Sequence, residues 1–281
     1  MVDWHVLLVA APLGLIAGVI GGMLGVGGSV IMIPGLVLFF GMGGPGGRAG
    51  FNQHAYQAAA MIANVAVALP AALRHRRAGA VSGRVLRVLI PAAVAAVLVG
   101  VWLSNTAVFR GAEGGQWLGF ILALFLLHQV GSNLWKVWAR SDRPELHPLQ
   151  GAKVTPGRSA TVGGIMGLIA GLLGVGGGVV AVPLQQVLMG LPLRGAIGNS
   201  AAAMVISATF GAIYKNASLA QHGVPLKTSL LLAAALAPTA FLGGRLGASL
   251  THALPLRQVR IAFVLVMSVA AWRLLGLPWP G

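Results

Sequence analysis

The sequence lacks cysteine altogether and contains only four acidic residues among 281. Without cysteine, disulfide bonds, thiolate catalysis and cysteine-based metal sites are excluded. The acids lie at the N-terminus or in expected loops: Asp3, Glu113, Asp142 and Glu145. A carboxylate proton relay inside a membrane is therefore not expected, and we predict neither a bound metal ion nor a cofactor.

Charged residues make up only 8% of the chain, whereas 57% is hydrophobic and the mean hydropathy is +0.87. A soluble domain is usually about 25% charged, so this chain lacks the charge to cover a surface that faces water on all sides. Apolar runs recur near residues 6–22, 28–41, 53–72, 85–104, 116–138, 160–173, 178–190, 196–214, 227–250 and 257–275. They predict an all-α polytopic membrane protein. We expect the first run to be retained in the fold, because Asp3 stands where a signal peptide would be basic.

The net charge of +15 comes from 19 Lys and Arg residues, most of them between the apolar runs. In a soluble protein this excess would suggest nucleic acid as a partner. In a membrane protein, Lys and Arg instead mark cytoplasmic loops. We therefore predict that the lipid bilayer surrounds the protein, in the cell inner (cytoplasmic) membrane, and that it has no nucleic acid partner. The excess of positive charge also favours small anions as substrates.

The chain repeats itself. The run LGVGGS at 24–29 recurs as LGVGGG at 173–178, and residues 18–34 match 167–183 at 10 of 17 positions. Further on, QAAAMI (57–62) pairs with SAAAMV (200–205), and Pro91 and Gly100 recur as Pro238 and Gly247. This ordered series predicts a tandem duplication: repeat 1 at 1–138, a cytoplasmic linker at 139–158 and repeat 2 at 159–281.

The glycine clusters predict a break in the middle of each first apolar stretch. A continuous helix over 160–190 would be about 46 Å long, against a hydrocarbon core of about 30 Å. We therefore expect a broken, re-entrant helical hairpin followed by three transmembrane helices in each half. Three crossings per half make the two repeats inverted, with both termini periplasmic. A parallel arrangement is the alternative, and the count of basic residues in loops does not separate the two.

Each break is a candidate anion site. The short helix after the motif begins there, and a helix N-terminus carries partial positive charge and free N–H groups that bind anions. The candidate residues are Gly25, Gly27, Gly28 and Ser29 in the first motif and Gly174, Gly176, Gly177 and Gly178 in the second. The alternative is that these glycines only let helices pack closely. A soluble phosphate loop is dismissed, because the motif lacks the required final Gly or Lys and no strand precedes it.

A polar run, FNQHAYQ at 51–57, opens the third apolar segment. It adds five candidates for lining the anion cavity: Asn52, Gln53, His54, Tyr56 and Gln57. The alternative is a helix cap at the membrane surface, with Asn52 as the capping residue. Lys215 and Asn216 are interpreted as residues at a helix boundary. Arg245 is expected to extend to the membrane interface, with substrate pairing as the alternative.

Together these residues resemble the TauE/SafE family of transporters, also called the sulfite exporter or TSUP family, over about residues 6–275. The resemblance rests on the duplicated motifs, on Pro34 and Pro183 five residues after them, and on AIGNSAAAMV at 196–205. It implies substrate-binding roles for Asn199 and Ser200. In the first half Ala55, Tyr56 and Gln57 stand where the resemblance would place Gly-Thr-Ser, which suggests an altered pocket.

The resemblance implies transport of sulfite, sulfoacetate, other organosulfonates or related carboxylates. We therefore predict a non-enzymatic secondary transporter, an exporter or exchanger, that holds its anion near the membrane midplane. The alternatives are a channel, a non-transporting membrane scaffold, and an intramembrane hydrolase using Ser200, for which no triad spacing is seen. The sequence leaves open the anion, the direction of transport, the coupling ion, rocking against elevator motion, and whether a homodimer forms.

Overall fold

The computed structural model describes residues 4–40, 53–106 and 153–253, with scattered positions at 117–138 and 255–275. Within these ranges the chain is helical, with no strand, so the predicted all-α class is confirmed. Asn52 lies outside the described residues. The helices are α1 (Trp4–Leu24), α2 (Ser29–Phe40), α3 (Gln53–Arg77), α4 (Gly83–Ser104), α5 (Pro156–Leu173), α6 (Gly178–Met189), α7 (Leu193–Ala217) and α8 (Leu226–Ala253), and a 3-10 turn covers Leu219–His222.

Local sequence explains where several helices begin and end. The α5 helix starts with Pro156 at its first position, and the Thr155 hydroxyl accepts a hydrogen bond from the Arg158 backbone N–H at 3.4 Å, a common helix start. The α7 helix begins directly after Pro192. The apolar run expected near 196–214 therefore begins about one turn after the helix itself does. Asn199 and Ser200 lie in the second turn of the helix, because the preceding proline sets the boundary.

Within the described part of the chain, four helices are long and apolar enough to cross a membrane: α3, α4, α7 and α8. The α2 and α6 helices have only twelve residues each, about 18 Å at 1.5 Å per residue, too short to cross alone. The protein is therefore a multi-pass membrane protein whose short helices pair with α1 and α5. The two remaining expected crossings, 116–138 and 257–275, fall mainly outside the described residues.

The α3 and α7 helices form the centre of the fold and run antiparallel. At one end of the pair His54 contacts Lys215, and at the other Asn199 bonds Ser82 just beyond α3. Around this pair the halves exchange helices, since α1 packs on α8 and α4 packs on α5. The antiparallel course of two helices of equal length favours the inverted repeat, which stays a prediction, as does the division at 139–158.

Small residues bring the outer helices close together. A methyl group built on Gly167 of α5 would lie 2.9 Å from the backbone N of Val97 in α4, and one on Gly100 would lie 2.9 Å from the backbone N of Leu172. Gly247 of α8 meets Val19 of α1 in the same way. Close packing of small residues is a main source of helix association in lipid. The packing alternative therefore describes the glycines within these helices.

This packing predicts different outcomes for two glycines on one helix. Gly167→Ala places its methyl group against the α4 backbone and should lower the unfolding free energy by about 1–3 kcal/mol. Gly164→Ala, with no neighbour within 4 Å, should raise it by up to about 1 kcal/mol through helix propensity. Thermal unfolding of both variants in one detergent measures the difference. Equal melting temperatures would contradict the close α4–α5 contact.

Candidate functional site

The two glycine motifs meet between α3 and α7. The Ser200 hydroxyl of α7 donates a hydrogen bond to the Gly25 carbonyl at 2.8 Å, which joins the second repeat to the first motif. The Cα hydrogens of Gly178, the first residue of α6, point at that same carbonyl, so a Cβ there would collide with it. The starts of the two short helices therefore lie side by side in the interior of the protein.

Gly27 and Gly176 occupy matching places in the two motifs. Their φ angles are +83° and +76°, a left-handed conformation that side chains disfavour. A Cβ on Gly27 would lie 2.9 Å from Asn64 Oδ1, and one on Gly176 would lie 2.6 Å from Asn64 Nδ2. Both would also lie 2.9 Å from the sulfur of Met204. One pair of side chains, from α3 and α7, thus faces both motifs.

Asn64 makes the two motifs chemically unequal. Its Oδ1 accepts from the Ser29 backbone N–H at 2.9 Å, and its Nδ2 donates to Ser29 Oγ at 2.7 Å. These bonds cap the N-terminus of α2. At the start of α6, whose N-cap is Gly177, no side-chain cap comes from the described residues, and Met204 is the α7 side chain that faces Gly176 in this motif. The N-terminus of α6 therefore keeps its attraction for an anion.

The candidate residues of the 53–57 run separate in space. Gln57 reaches the second motif, donating to the Leu172 carbonyl at 3.4 Å, whereas Tyr56 is buried in the hydrophobic core with Leu173. Gln53 is buried, and neither atom of its amide has a partner among the described residues. His54 turns away from the motifs toward Lys215. The structure therefore does not bring the described residues of this run together in a single cavity.

Asn199 also points elsewhere than expected. Its Oδ1 accepts from the Ser82 backbone N–H at 2.7 Å, so it holds the turn between α3 and α4. Of the Asn199–Ser200 pair, only Ser200 contacts a motif.

Contacts give a second way of pairing the two repeats. Gly174 packs on Gln57, and Gly25 packs on Ile197, so these contacts match Gln57 with Ile197. Gly25 also accepts the hydrogen bond from Ser200, the residue that the sequence pairing of QAAAMI with SAAAMV matches with Gln57. The sequence pairing stays a prediction.

A second polar cluster surrounds Lys215 at the other end of α7. The ammonium lies 2.9 Å from His54 Nδ1, 2.8 Å from Ser104 Oγ and 3.4 Å from Asn105 Oδ1, and Lys215 is fully buried. The ring of His222 stacks on His54 with centroids 3.6 Å apart. Lys215 does lie in the last turn of its helix, but the expectation of an ordinary boundary residue missed its burial.

The opposite end of the central helix pair carries a corresponding buried residue. By the contact-based pairing, Lys215 corresponds to His75 in the last turn of α3, which is also fully buried, with its Nε2 3.3 Å from the Gly22 carbonyl. The ring of His252 lies 5.4 Å from it. Both ends of the central helix pair therefore hold a buried basic group, one on each side of the motifs.

A comparison with known protein families covers the two breaks, the short helices and the central pair. Residues 10–274 match the family described as "Sulfite exporter TauE/SafE". The chain belongs to this family. The match covers both motifs and every helix from α2 to α8.

Two relatives carry the name "Probable membrane transporter protein MamO". The protein from Magnetospirillum gryphiswaldense is 30% identical over 94% of this chain and 44% of its own length, and the one from Paramagnetospirillum magneticum is 28% identical over 94% and 43%. The chain thus spans less than half the length of these relatives. "Probable membrane transporter protein YunE" of Bacillus subtilis is 22% identical over 92% of this chain and 95% of its own. No solved structure matches the chain.

The cap on α2 can be tested by substitution. Asn64→Leu removes both bonds to Ser29 and leaves a buried N–H unpaired, which should cost about 1–3 kcal/mol of unfolding free energy. Met204→Leu, the matched control at the corresponding place on α7, should cost less than about 1.5 kcal/mol. Thermal unfolding of the purified variants compares them. If Asn64→Leu is as stable as its control, the cap contributes nothing.

The burial of Lys215 predicts its chemical protection. In the purified protein an amine-acetylating reagent should modify exposed Lys153 and Lys227 readily. Lys215 should react roughly tenfold more slowly or less, because exposure requires local opening. Mass spectrometry of timed digests gives the three rates. Equal rates at Lys215 and Lys227 would place Lys215 at the surface and contradict the cluster.

Proposed function

We propose that this chain is a secondary transporter of the inner membrane that exports or exchanges small sulfur-containing anions, such as sulfite, sulfoacetate and other organosulfonates. The observation that carries the proposal is the meeting of the two glycine motifs at the starts of α2 and α6. Membership of a family described as a sulfite exporter supports the substrate class. The names of the MamO and YunE proteins support membrane transport.

The anion is assigned to the N-terminus of α6. No side chain of the described residues caps this helix start, whereas Asn64 already caps that of α2. Glycines at 176–178 let an anion approach the backbone closely, and the Ser200 hydroxyl lies beside them, within 2.9 Å of a methyl group built on Gly178. Ser200 can exchange its bond to the Gly25 carbonyl for one to an anion oxygen. Asn64 and Ser29 then act as the support that holds the opposite tip in place.

Transport in this proposal requires the two halves to move. Ser29, Asn64 and Ser200 are all fully buried, so the described conformation is closed around the motifs. A closed state fits alternating access, in which one repeat moves against the other around a central site between broken helices. It fits a permanently open channel poorly. The inverted repeats and the periplasmic termini are part of the proposal.

Small carboxylates are the second candidate class. The support is Gln57, which packs on Gly174 and whose Nε2 lies 3.4 Å from the Leu172 carbonyl beside the second motif. An amide beside the motif offers both a donor and an acceptor, which a carboxylate can use as well as a sulfonate can.

Flux measurements in proteoliposomes test the proposal. The purified full chain should carry sulfite or sulfoacetate down an imposed gradient, with saturation and with competition by unlabelled anion. Acetate and larger carboxylates form the second arm. A linear, unsaturated flux would indicate a channel, and no flux of any sulfur anion or carboxylate would overturn the proposal in favour of a scaffold.

A pair of glycines provides the matched control for the site. Gly176→Ala introduces a methyl group at φ +76° beside Asn64 and Met204, and it should lower flux by roughly tenfold or more, a loss of about 1.4 kcal/mol in binding. Gly79→Ala carries the same backbone strain at φ +72°, but nothing lies within 4 Å of its methyl group. Its flux should stay close to that of the unchanged protein. Equal flux in the two variants would remove the motif from the transport site.

A further inference from the structure

A groove on the outside of the fold lies between α3 and α8, away from the two motifs. Its volume is about 500 Å³. The α3 helix contributes Leu69, Pro70, Leu73, Arg74 and Arg77, and α8 contributes Phe241, Arg245 and Ser249. The groove therefore combines three arginines with an apolar wall.

The wall and the arginines are ordered along the groove. Val67 packs on Gly244, and Arg74 Nε donates to Ser249 Oγ at 3.4 Å, so α3 and α8 run in the same direction here. On α3 the leucines come before Arg77, and on α8 Phe241 comes before Arg245 and Ser249. One end of the groove is therefore apolar, and the other end is cationic.

The two ends of the groove lie at different depths in the membrane, the cationic end near its surface and the apolar end nearer its centre. The cationic end lies where α3 finishes, in the run Arg74–Arg77 that opens the basic connection to α4. The apolar end lies deeper by about two turns on α3, from Leu69 to Arg77, and by about one turn on α8, from Phe241 to Arg245. Leu69, Leu73 and Phe241 are 40–50% exposed, so they face the bilayer and not the protein core.

The three arginines are not neutralised within the described part of the chain. No carboxylate from the described ranges pairs with Arg74, Arg77 or Arg245, because all four acids of the sequence lie outside them. Among the described residues, the one side-chain hydrogen bond that these arginines donate is the long bond to the neutral Ser249 hydroxyl. Three like charges around one groove favour an anion with several oxygen atoms, and guanidinium groups suit phosphate especially well.

From this geometry we infer that the groove is a binding site for an anionic phospholipid. The phosphate of the headgroup lies among Arg74, Arg77 and Arg245, and an acyl chain follows Leu69, Leu73 and Phe241 toward the membrane centre. A small soluble anion would use the arginines but leave the apolar wall unoccupied. Basic pockets between membrane helices on the cytoplasmic side are a common form of such sites. The inference does not depend on what the protein transports.

The test compares lipids on the purified full chain. Phosphatidylglycerol, phosphatidylcholine and soluble glycerol phosphate are added separately to the protein in a neutral detergent. Native mass spectrometry counts retained lipid, and thermal unfolding measures stabilisation. We expect phosphatidylglycerol to be retained and to stabilise the protein, phosphatidylcholine to do so far less, and glycerol phosphate to have no comparable effect.

Two double variants locate the site. Arg77→Gln with Arg245→Gln should weaken phosphatidylglycerol retention by roughly fivefold for each arginine removed. Arg84→Gln with Arg87→Gln removes the same charge from exposed positions of α4 outside the groove, and it should leave retention close to unchanged. Both pairs of residues are exposed, so folding should persist.

Three outcomes would overturn the inference. Equal losses in the two double variants would mean that net charge, and not the groove, attracts the lipid. Equal retention of phosphatidylcholine would remove the role of the arginines. Stabilisation by glycerol phosphate to the same degree would replace the lipid with a soluble anion. The lipid comparison on the unchanged protein decides the question even if a variant misfolds.

Discussion

The fold depends on how two broken helices satisfy their backbone inside a membrane. An unpaired N–H in hydrocarbon costs several kcal/mol, so a break is stable only where protein groups complete its hydrogen bonds. Asn64 does this for the first break with two bonds to Ser29, and Ser200 completes the Gly25 carbonyl. The antiparallel α3–α7 pair supplies both side chains, which explains why these helices lie at the centre and the others pack around them.

The same requirement separates two uses of glycine in this chain. Within α1, α4, α5 and α8, glycine removes side-chain bulk so that helices approach closely. In the motifs, Gly27 and Gly176 adopt left-handed backbone angles, and Asn64 and Met204 pack directly against them. The packing alternative therefore holds for the glycines within the helices, and the anion site at the motifs stays a prediction.

Much of the architecture could be predicted from the sequence. Duplicated glycine clusters inside apolar runs predict broken helices, because the length of the hydrocarbon core limits a continuous rod. The surroundings of single side chains could not be predicted. Asn64 lies in the middle of an apolar helix with no local signal for the residue it would face. Lys215 looks like a surface residue, and only the packing of α3 and α4 against its helix buries it.

The register of the repeats shows a third limit. The sequence pairs QAAAMI with SAAAMV, whereas the contacts of Gly25 with Ile197 and of Gly174 with Gln57 match Gln57 with Ile197. The two registers differ by three residues, a slip that stays on nearly the same helix face. Hydrophobic pattern alone therefore does not separate them.

Two copies of a duplicated motif usually make the same contacts, but here a side chain caps the first tip and none of the described side chains caps the second. Ser29 and Asn64 depend on each other, so a change at one leaves the other unpaired, and the first tip can vary only in concert. The second tip has no such pair among the described residues, because Met204 is the α7 side chain that faces Gly176 there. A substitution at Met204 therefore changes packing alone, whereas one at Asn64 also breaks two hydrogen bonds. The duplicated motifs are thus held by different interactions, polar ones in the first half and packing in the second.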